Sequence, residues 1–169
     1  MPCTIIMIPV HHYHGEMMRR KDREILDPAE MAAILTEATV CRIAMTDGDE
    51  PYVVPLCFGF MDNAIWIHSA RVGKKIGLLI RNPRCCIEVD ICGGPLPDEK
   101  PCRWEFRYKS VICNGDARVV DDNNEKRKGL DCILQHYGAG EHSFTDQELD
   151  SVCVIKIAIT GMTGKKYGY

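Results

Sequence analysis

Two apolar runs, Tyr52 to Met61 and Ala64 to His68, are separated only by Asp62-Asn63. Asp and Asn tolerate the positive φ of a tight two-residue turn, so the runs are expected to fold back on each other as antiparallel strands. A junction this short leaves no room for a crossover helix and argues against a doubly wound parallel sheet. The neighbouring segments follow the same logic. Val40 to Thr46 alternates as a strand and ends at the turn Asp47-Gly48-Asp49. Arg84 to Ile91, Cys102 to Val120 (long enough for one bent strand or two) and Ser151 to Thr160 are the remaining strand segments. Asn114-Gly115-Asp116 marks a bulge or turn within the second of these, and Gly93-Gly94-Pro95-Leu96-Pro97-Asp98 reads as a loop.

Helices punctuate these runs. Asp27 is placed to cap a helix with Pro28 at its first position, Glu30 in its first turn, and Met31, Ile34, Leu35 and Ala38 on its apolar face. A second helix is expected from about Val72 to Arg81, stopping at Asn82-Pro83. A third runs from Asn124 to about Tyr137, burying Leu130, Ile133 and Leu134, with Gly138 just beyond its end. Ser143 to Glu148 is polar and includes at most a short helical turn. Strands that neighbour each other as hairpins, with helices between groups of them, describe an α+β domain on a small barrel. The 169 residues suffice for one such domain.

Composition narrows the function. A net charge of −3 argues against nucleic acid as the main partner, and no apolar run approaches the ~20 residues needed to span a bilayer. Thr4 to Val10 is apolar but has no basic residues before it and no small-residue cleavage site after it, so a secretory signal is not expected. The ten cysteines include no CxxC pair, and most sit in strand-like runs. They read as reduced, buried small hydrophobes of a cytoplasmic protein, not as a disulfide framework or zinc site. Residues 1–16 look like an N-terminal extension, with 17–169 as the single domain. The extension carries His11, His12 and His14, but no carboxylate or cysteine beside them suggests a metal site.

One segment carries an electrostatic oddity. After Ile67-His68-Ser69 comes Gly73, then Lys74 and Lys75, which fall in the first turn of the second helix. The helix dipole is positive there and disfavours cations by a few tenths to ~1 kcal/mol. The placement makes sense if an anion binds, since free N–H groups, a hydroxyl and two ammonium groups together suit a phosphate. Solvated surface charge is the alternative reading.

The order and spacing of six segments resemble the pyridoxamine 5′-phosphate oxidase-like FMN-binding split barrels, most of all their nitroimidazole-resistance group. These are Met18-Arg-Arg-Lys-Asp-Arg-Glu-Ile25, Ala38-Thr-Val-Cys-Arg-Ile-Ala44, Pro51-Tyr-Val-Val-Pro-Leu56, Ile67-His-Ser-Ala-x-x-Gly-Lys-Lys75, Tyr108-Lys-Ser-Val-Ile112 and Ile159-Thr-Gly-Met-Thr-Gly-Lys165. The resemblance implies a six-stranded antiparallel Greek-key split barrel with flanking helices, and a homodimer with FMN at the subunit interface. It implies that Ser69, Lys74 and Lys75 hold the FMN phosphate. Val54, Pro55 and Leu56 would lie along the flavin ring, with Ile67 and His68 beside it. Tyr108 and Ser110 would reach the cofactor or the partner subunit. Arg42 either reaches the phosphate or points to solvent. Reduced flavin would pass electrons to a small aromatic acceptor, with His68 orienting it or donating a proton. A non-catalytic FMN-binding or storage protein, and a relative using F420 or haem, are the alternatives. The terminal Gly164-Lys-Lys-Tyr-Gly-Tyr169 lacks the Arg-Leu-x-Pro-like segment of the true oxidases, which puts vitamin B6 oxidation in doubt.

Overall fold

The computed structural model describes residues 18–140 and 142–169; the expected extension and its histidines lie outside them. Eight strands form one antiparallel sheet: β1 (Glu24–Ile25), β2 (Cys41–Asp47), β3 (Glu50–Leu56), β4 (Gly59–Met61), β5 (Ala64–Ser69), β6 (Arg84–Leu96), β7 (Glu105–Val119) and β8 (Cys153–Tyr167). Their order is β3-β2-β6-β7-β8-β5-β4, with β1 added on β8. The edge strands β3 and β4 lie at opposite ends of this ladder, yet only Cys57 and Phe58 connect them. The sheet therefore has to roll into a barrel with an unpaired seam where its two edges meet.

The strand count corrects the expected six. The run Tyr52 to Met61 breaks at Cys57-Phe58, because Phe58 turns fully into the core and its N–H donates to the Tyr137 hydroxyl at 3.1 Å. That hydroxyl donates in turn to the Thr39 carbonyl at 2.8 Å. The hairpin at Asp62-Asn63 forms as expected, with φ of 52° and 55°. The glycine- and proline-rich segment after Ile91 is not a loop: β6 continues through it to Leu96, paired with β7. A register shift between Cys92 and Gly94, with Gly94 at φ 96°, lets the strand pass. A second shift falls at Asn114/Gly115, where the sequence places one. Strand β8 runs past Thr160 to Tyr167.

Helix α1 (Pro28–Glu37) begins as predicted, with the Asp27 carboxylate accepting from the Ala29 N–H at 2.9 Å. Helix α2 (Lys74–Arg81) starts slightly later than expected, and α3 (Asn123–His136) starts one residue earlier. The polar segment near residue 145 forms α4 (Asp146–Ser151), begun by a capping box between Thr145 and Glu148. Helices α1 and α2 plug the barrel with Met31, Ile34, Leu35, Ile76 and Leu79. A second core lies outside the barrel wall, where Trp66 and Val154 meet Leu130, Ile133 and Leu149 of α3 and α4. Strands β5 and β8 are therefore covered on both faces, which explains the unbroken burial of Ala64 to Ile67.

Candidate functional site

Strand β5 ends at His68 and Ser69, whose partners on β8 are Val154 and Cys153. Alternation puts Ser69 on the barrel face with Ile67, and His68 on the α3 face with Trp66. The two side chains thus diverge. His68 is exposed; Ile67 is fully buried, so only its main chain is open to a ligand.

Behind Gly73, at φ 144°, helix α2 opens at the barrel mouth with no side-chain cap and no acidic residue in its first turn. Its first helical bond runs from the Gly77 N–H to the Gly73 carbonyl at 3.1 Å. The N–H groups of Lys74, Lys75 and Ile76 have no helical partner. The two lysines differ sharply. Lys74 lies 3.1 Å from the Asp47 carboxylate, which also accepts from Arg81 at 2.9 Å, and sits 4.9 Å above the Tyr52 ring. Lys75 makes no ion pair among the described residues. It is half-buried, and burial pushes its pKa down, opposed by the Cys153 and Cys41 thiols. The chain holds this ammonium partly out of water and leaves its charge uncompensated.

The other expected residues fall elsewhere. On β3, Tyr52, Val54 and Leu56 pack against the core, while Val53 and Pro55 face outward. Only Pro55 of the expected ring-lining trio presents its side chain to the outer surface. Arg42, opposite Pro55, is ion-paired to Glu88 at 3.0 Å and to Asp90 at 2.5 Å. Its guanidinium is thus engaged by carboxylates within the sheet. Tyr108 pairs with Tyr167 and Ser110 with Lys165, at the far end of β8 from Cys153 and Ser69. At that end Arg23 pairs with Glu105 at 2.6 Å and stacks 3.8 Å over the Tyr167 ring. One chain does not bring Tyr108 and Ser110 to Lys75.

Three charged residues that act on the lysine pair or on Cys153 were not legible as such. Asp47 reads as a turn residue but holds Lys74. Arg71 lies in the link from Ser69 to α2, and Lys126 lies on α3, some fifty positions away. The Cys153 thiol registers both: Lys126, Lys75 and Arg71 pull its pKa down against the burial that raises it.

All nine described cysteines are free thiols. Burial pushes Cys41, Cys85 and Cys113 up to about 12. Cys57, Cys92 and Cys102 are exposed, contrary to the expected burial. Of these, Cys92 donates to the Asp90 carboxylate at 2.9 Å, which also raises its pKa. Alkylation of the native protein at neutral pH is expected to label Cys57 and Cys102 first, Cys92 more slowly, and Cys41, Cys85 and Cys113 only after unfolding. Mass mapping of the adducts over time checks this order; early labelling of Cys113 would contradict the packing.

No helix among the described residues is long and apolar enough to cross a membrane. Together the rolled sheet, its seam and the helix-capped mouth define a split barrel of the α+β class. The family model for pyridoxamine 5′-phosphate oxidase matches residues 27–166, and the chain belongs to that family. No curated protein matches the chain. Among solved structures, a provisionally assigned 5-nitroimidazole antibiotic resistance protein from Bacteroides thetaiotaomicron is 33% identical. The match covers 92% of this chain and 95% of that one, with a TM-score of 0.76. A flavocytochrome from Azotobacter vinelandii, 18% identical, shares the fold over 90% of this chain and 73% of its own, with a TM-score of 0.81. An FAD- and haem-binding protein from Mycobacterium smegmatis, 19% identical, does so over 87% and 75%, with a TM-score of 0.80.

Proposed function

We propose that the chain is an FMN-dependent oxidoreductase, active as a homodimer in the cytoplasm, that reduces a small aromatic acceptor of the nitroimidazole kind. Lys75 carries this reading: a half-buried ammonium with no carboxylate partner among the described residues, at an uncapped helix start that follows Ser69 in the chain. This donor set fits a phosphate monoester. The likeness to a protein assigned to nitroimidazole resistance supports the acceptor class, and flavin-binding neighbours of the same fold support the cofactor.

Bound FMN would supply the electron transfer. The chain's part is binding and orientation. Lys75, Ser69 and the free N–H groups of α2 would hold the phosphate. Strand β3 is a sheet edge, and its unpaired main-chain groups near Pro55 would meet the polar rim of the ring. Exposed His68 would orient the acceptor and hand it a proton.

The dimer is supported by two observations. Val53 and Ile112 lie 55% and 44% exposed on the outer sheet face. Tyr108 and Ser110, on β7 opposite the far end of β8, are too distant to reach their own chain's Lys75 but are available to a second copy's.

The test is reconstitution of the purified protein. It is expected to take up one FMN per chain with flavin absorbance, to sediment as a dimer, and to reduce a nitroaromatic when supplied with a nicotinamide reductant. Failure to take up FMN rejects the reading. FMN uptake without turnover leaves the non-catalytic flavin-binding protein.

A further inference from the structure

We infer that the outer face of the barrel carries a second site, independent of the flavin, that takes a free α-amino acid as its zwitterion. The site is a cavity of about 670 Å³ between the ends of β2, β6, β7 and β8. None of the residues lining it is among the expected flavin contacts.

Two interrupted ladders open this cavity. Strands β2 and β6 pair only as far as Ala44 opposite Cys86. Yet β2 continues to Asp47 and β6 begins at Arg84, so the two strands part over their last residues. Met45 and Cys85 turn into the core there, which leaves Thr46 and Arg84 on the outer face of the opening. The Asn82 amide spans the gap. Its Oδ1 accepts from the Arg84 N–H at 3.2 Å, and its Nδ2 lies 3.4 Å from the Thr46 hydroxyl. On the other side, the pairing of β7 with β8 jumps from Asn114 opposite Gly161 to Gly115 opposite Ile159. Thr160 is the residue left over, and its hydroxyl donates to the Asn114 carbonyl at 3.2 Å. Gly115 permits the close approach at this kink, since a Cβ there would come within 2.7 Å of the Ala158 carbonyl oxygen.

The charges of the cavity select the ligand. Arg84 and Asp116 are direct register partners on β6 and β7, and both line the cavity. Opposite charges so placed attract across the ladder. Here neither side chain makes an ion pair among the described residues, so a guanidinium and a carboxylate border one cavity without neutralising each other. An anion would satisfy only Arg84 and a cation only Asp116. An α-amino acid carries both charges on one carbon and satisfies both, its carboxylate on Arg84 and its ammonium on Asp116. Around them Thr46, Asn82, Asn114 and Thr160 bring hydroxyl and amide groups, each able to donate and to accept. The lining holds no aromatic ring, and a short polar side chain suits it.

Calorimetric titration of the full chain with L-serine, L-threonine, L-asparagine and L-glutamine tests this. At least one is expected to bind with a dissociation constant of about 1 mM or lower. Its α-amide, which lacks the carboxylate, and its N-acetyl derivative, which lacks the ammonium, are each expected to bind about tenfold more weakly. Arg84→Gln should weaken the amino acid about tenfold and leave the α-amide unchanged. Asp116→Asn should weaken the amino acid equally and leave the N-acetyl derivative unchanged. Thermal melting of each variant verifies that it is folded. The proposal is overturned if none of the four amino acids binds, or if the blocked derivatives bind as well as the amino acid. It is equally overturned if both folded variants keep wild-type affinity, or if a folded variant loses all three ligands to the same extent. No flavin enters the measurement, so a negative result leaves the flavin reading standing.

Discussion

Trp66→Ala is expected to lower stability by about 3–5 kcal/mol, the largest loss available from one side chain in this fold. Trp66 is 1% exposed and is the largest member of the second core. It faces away from the barrel into the layer formed by α3 and α4. The helix backbone rests against its ring at Gly129, and Lys156 lies 4.9 Å from the ring centroid on another side. Few atoms are free to collapse into the space the ring would leave, so most of the cavity would persist. The indole Nε1 has no hydrogen-bond partner among the described residues. Trp66→Phe therefore removes volume without orphaning any group and should cost much less. Denaturant midpoints for the two variants check the ranking. A loss under about 1 kcal/mol for Trp66→Ala would mean that α3 is held mainly by its C-terminal clamp, where Tyr137 bonds Phe58 and Thr39 and His136 bonds the Ala38 carbonyl.

Lys75→Ala should weaken FMN binding by about 30- to 100-fold, the range of one charge-assisted hydrogen bond removed from a partly desolvated site. The effect should exceed that of Lys74→Ala because Lys74 already spends its charge on Asp47. Lys75→Met, which keeps the apolar stem against the barrel mouth, should lose nearly as much. Titration with FMN at low and moderate salt provides the measurement. Unchanged affinity in both Lys75 variants would remove the phosphate anchor from this position.

The parts of the fold readable from sequence are those with local chemical causes. Asp27-Pro28, Asp62-Asn63 and Asn114-Gly115 each impose backbone geometry on their own neighbours, and each acts where expected. The misreadings arise where distant residues decide. Cys57-Phe58 carries no turn chemistry, and β3 separates from β4 because Phe58 finds a pocket and a hydroxyl on α3. Gly93-Gly94-Pro95 looks like loop but is held extended by Arg107 and Phe106 across the ladder. The same division applies to the site. Ser69 and the lysine pair stand together in the chain and stand out through one local contradiction, cations at a positive helix end. Which lysine is ion-paired depends on Asp47, at the far end of another strand. Strand alternation alone was enough to place Val54 and Leu56 inward and Pro55 outward, once the register of β3 on β2 was known.

The seam between β3 and β4 has a dynamic consequence. Elsewhere the barrel wall is laced by hydrogen-bonded ladders, the longest being β6 on β7 and β7 on β8. At the seam the wall is closed only by side chains and the two residues that bridge it, so this is where the barrel can breathe at least cost. Amides on the free sides of β3 and β4 should open to solvent far more often than those of β7. Leu56, the last residue of β3, pairs with Cys41, whose thiol is felt by Lys75. The loosest stretch of wall therefore borders the cationic mouth. A ligand anchored there and lying along the β3 edge would damp that motion, and its affinity would carry an entropic charge for stilling the seam.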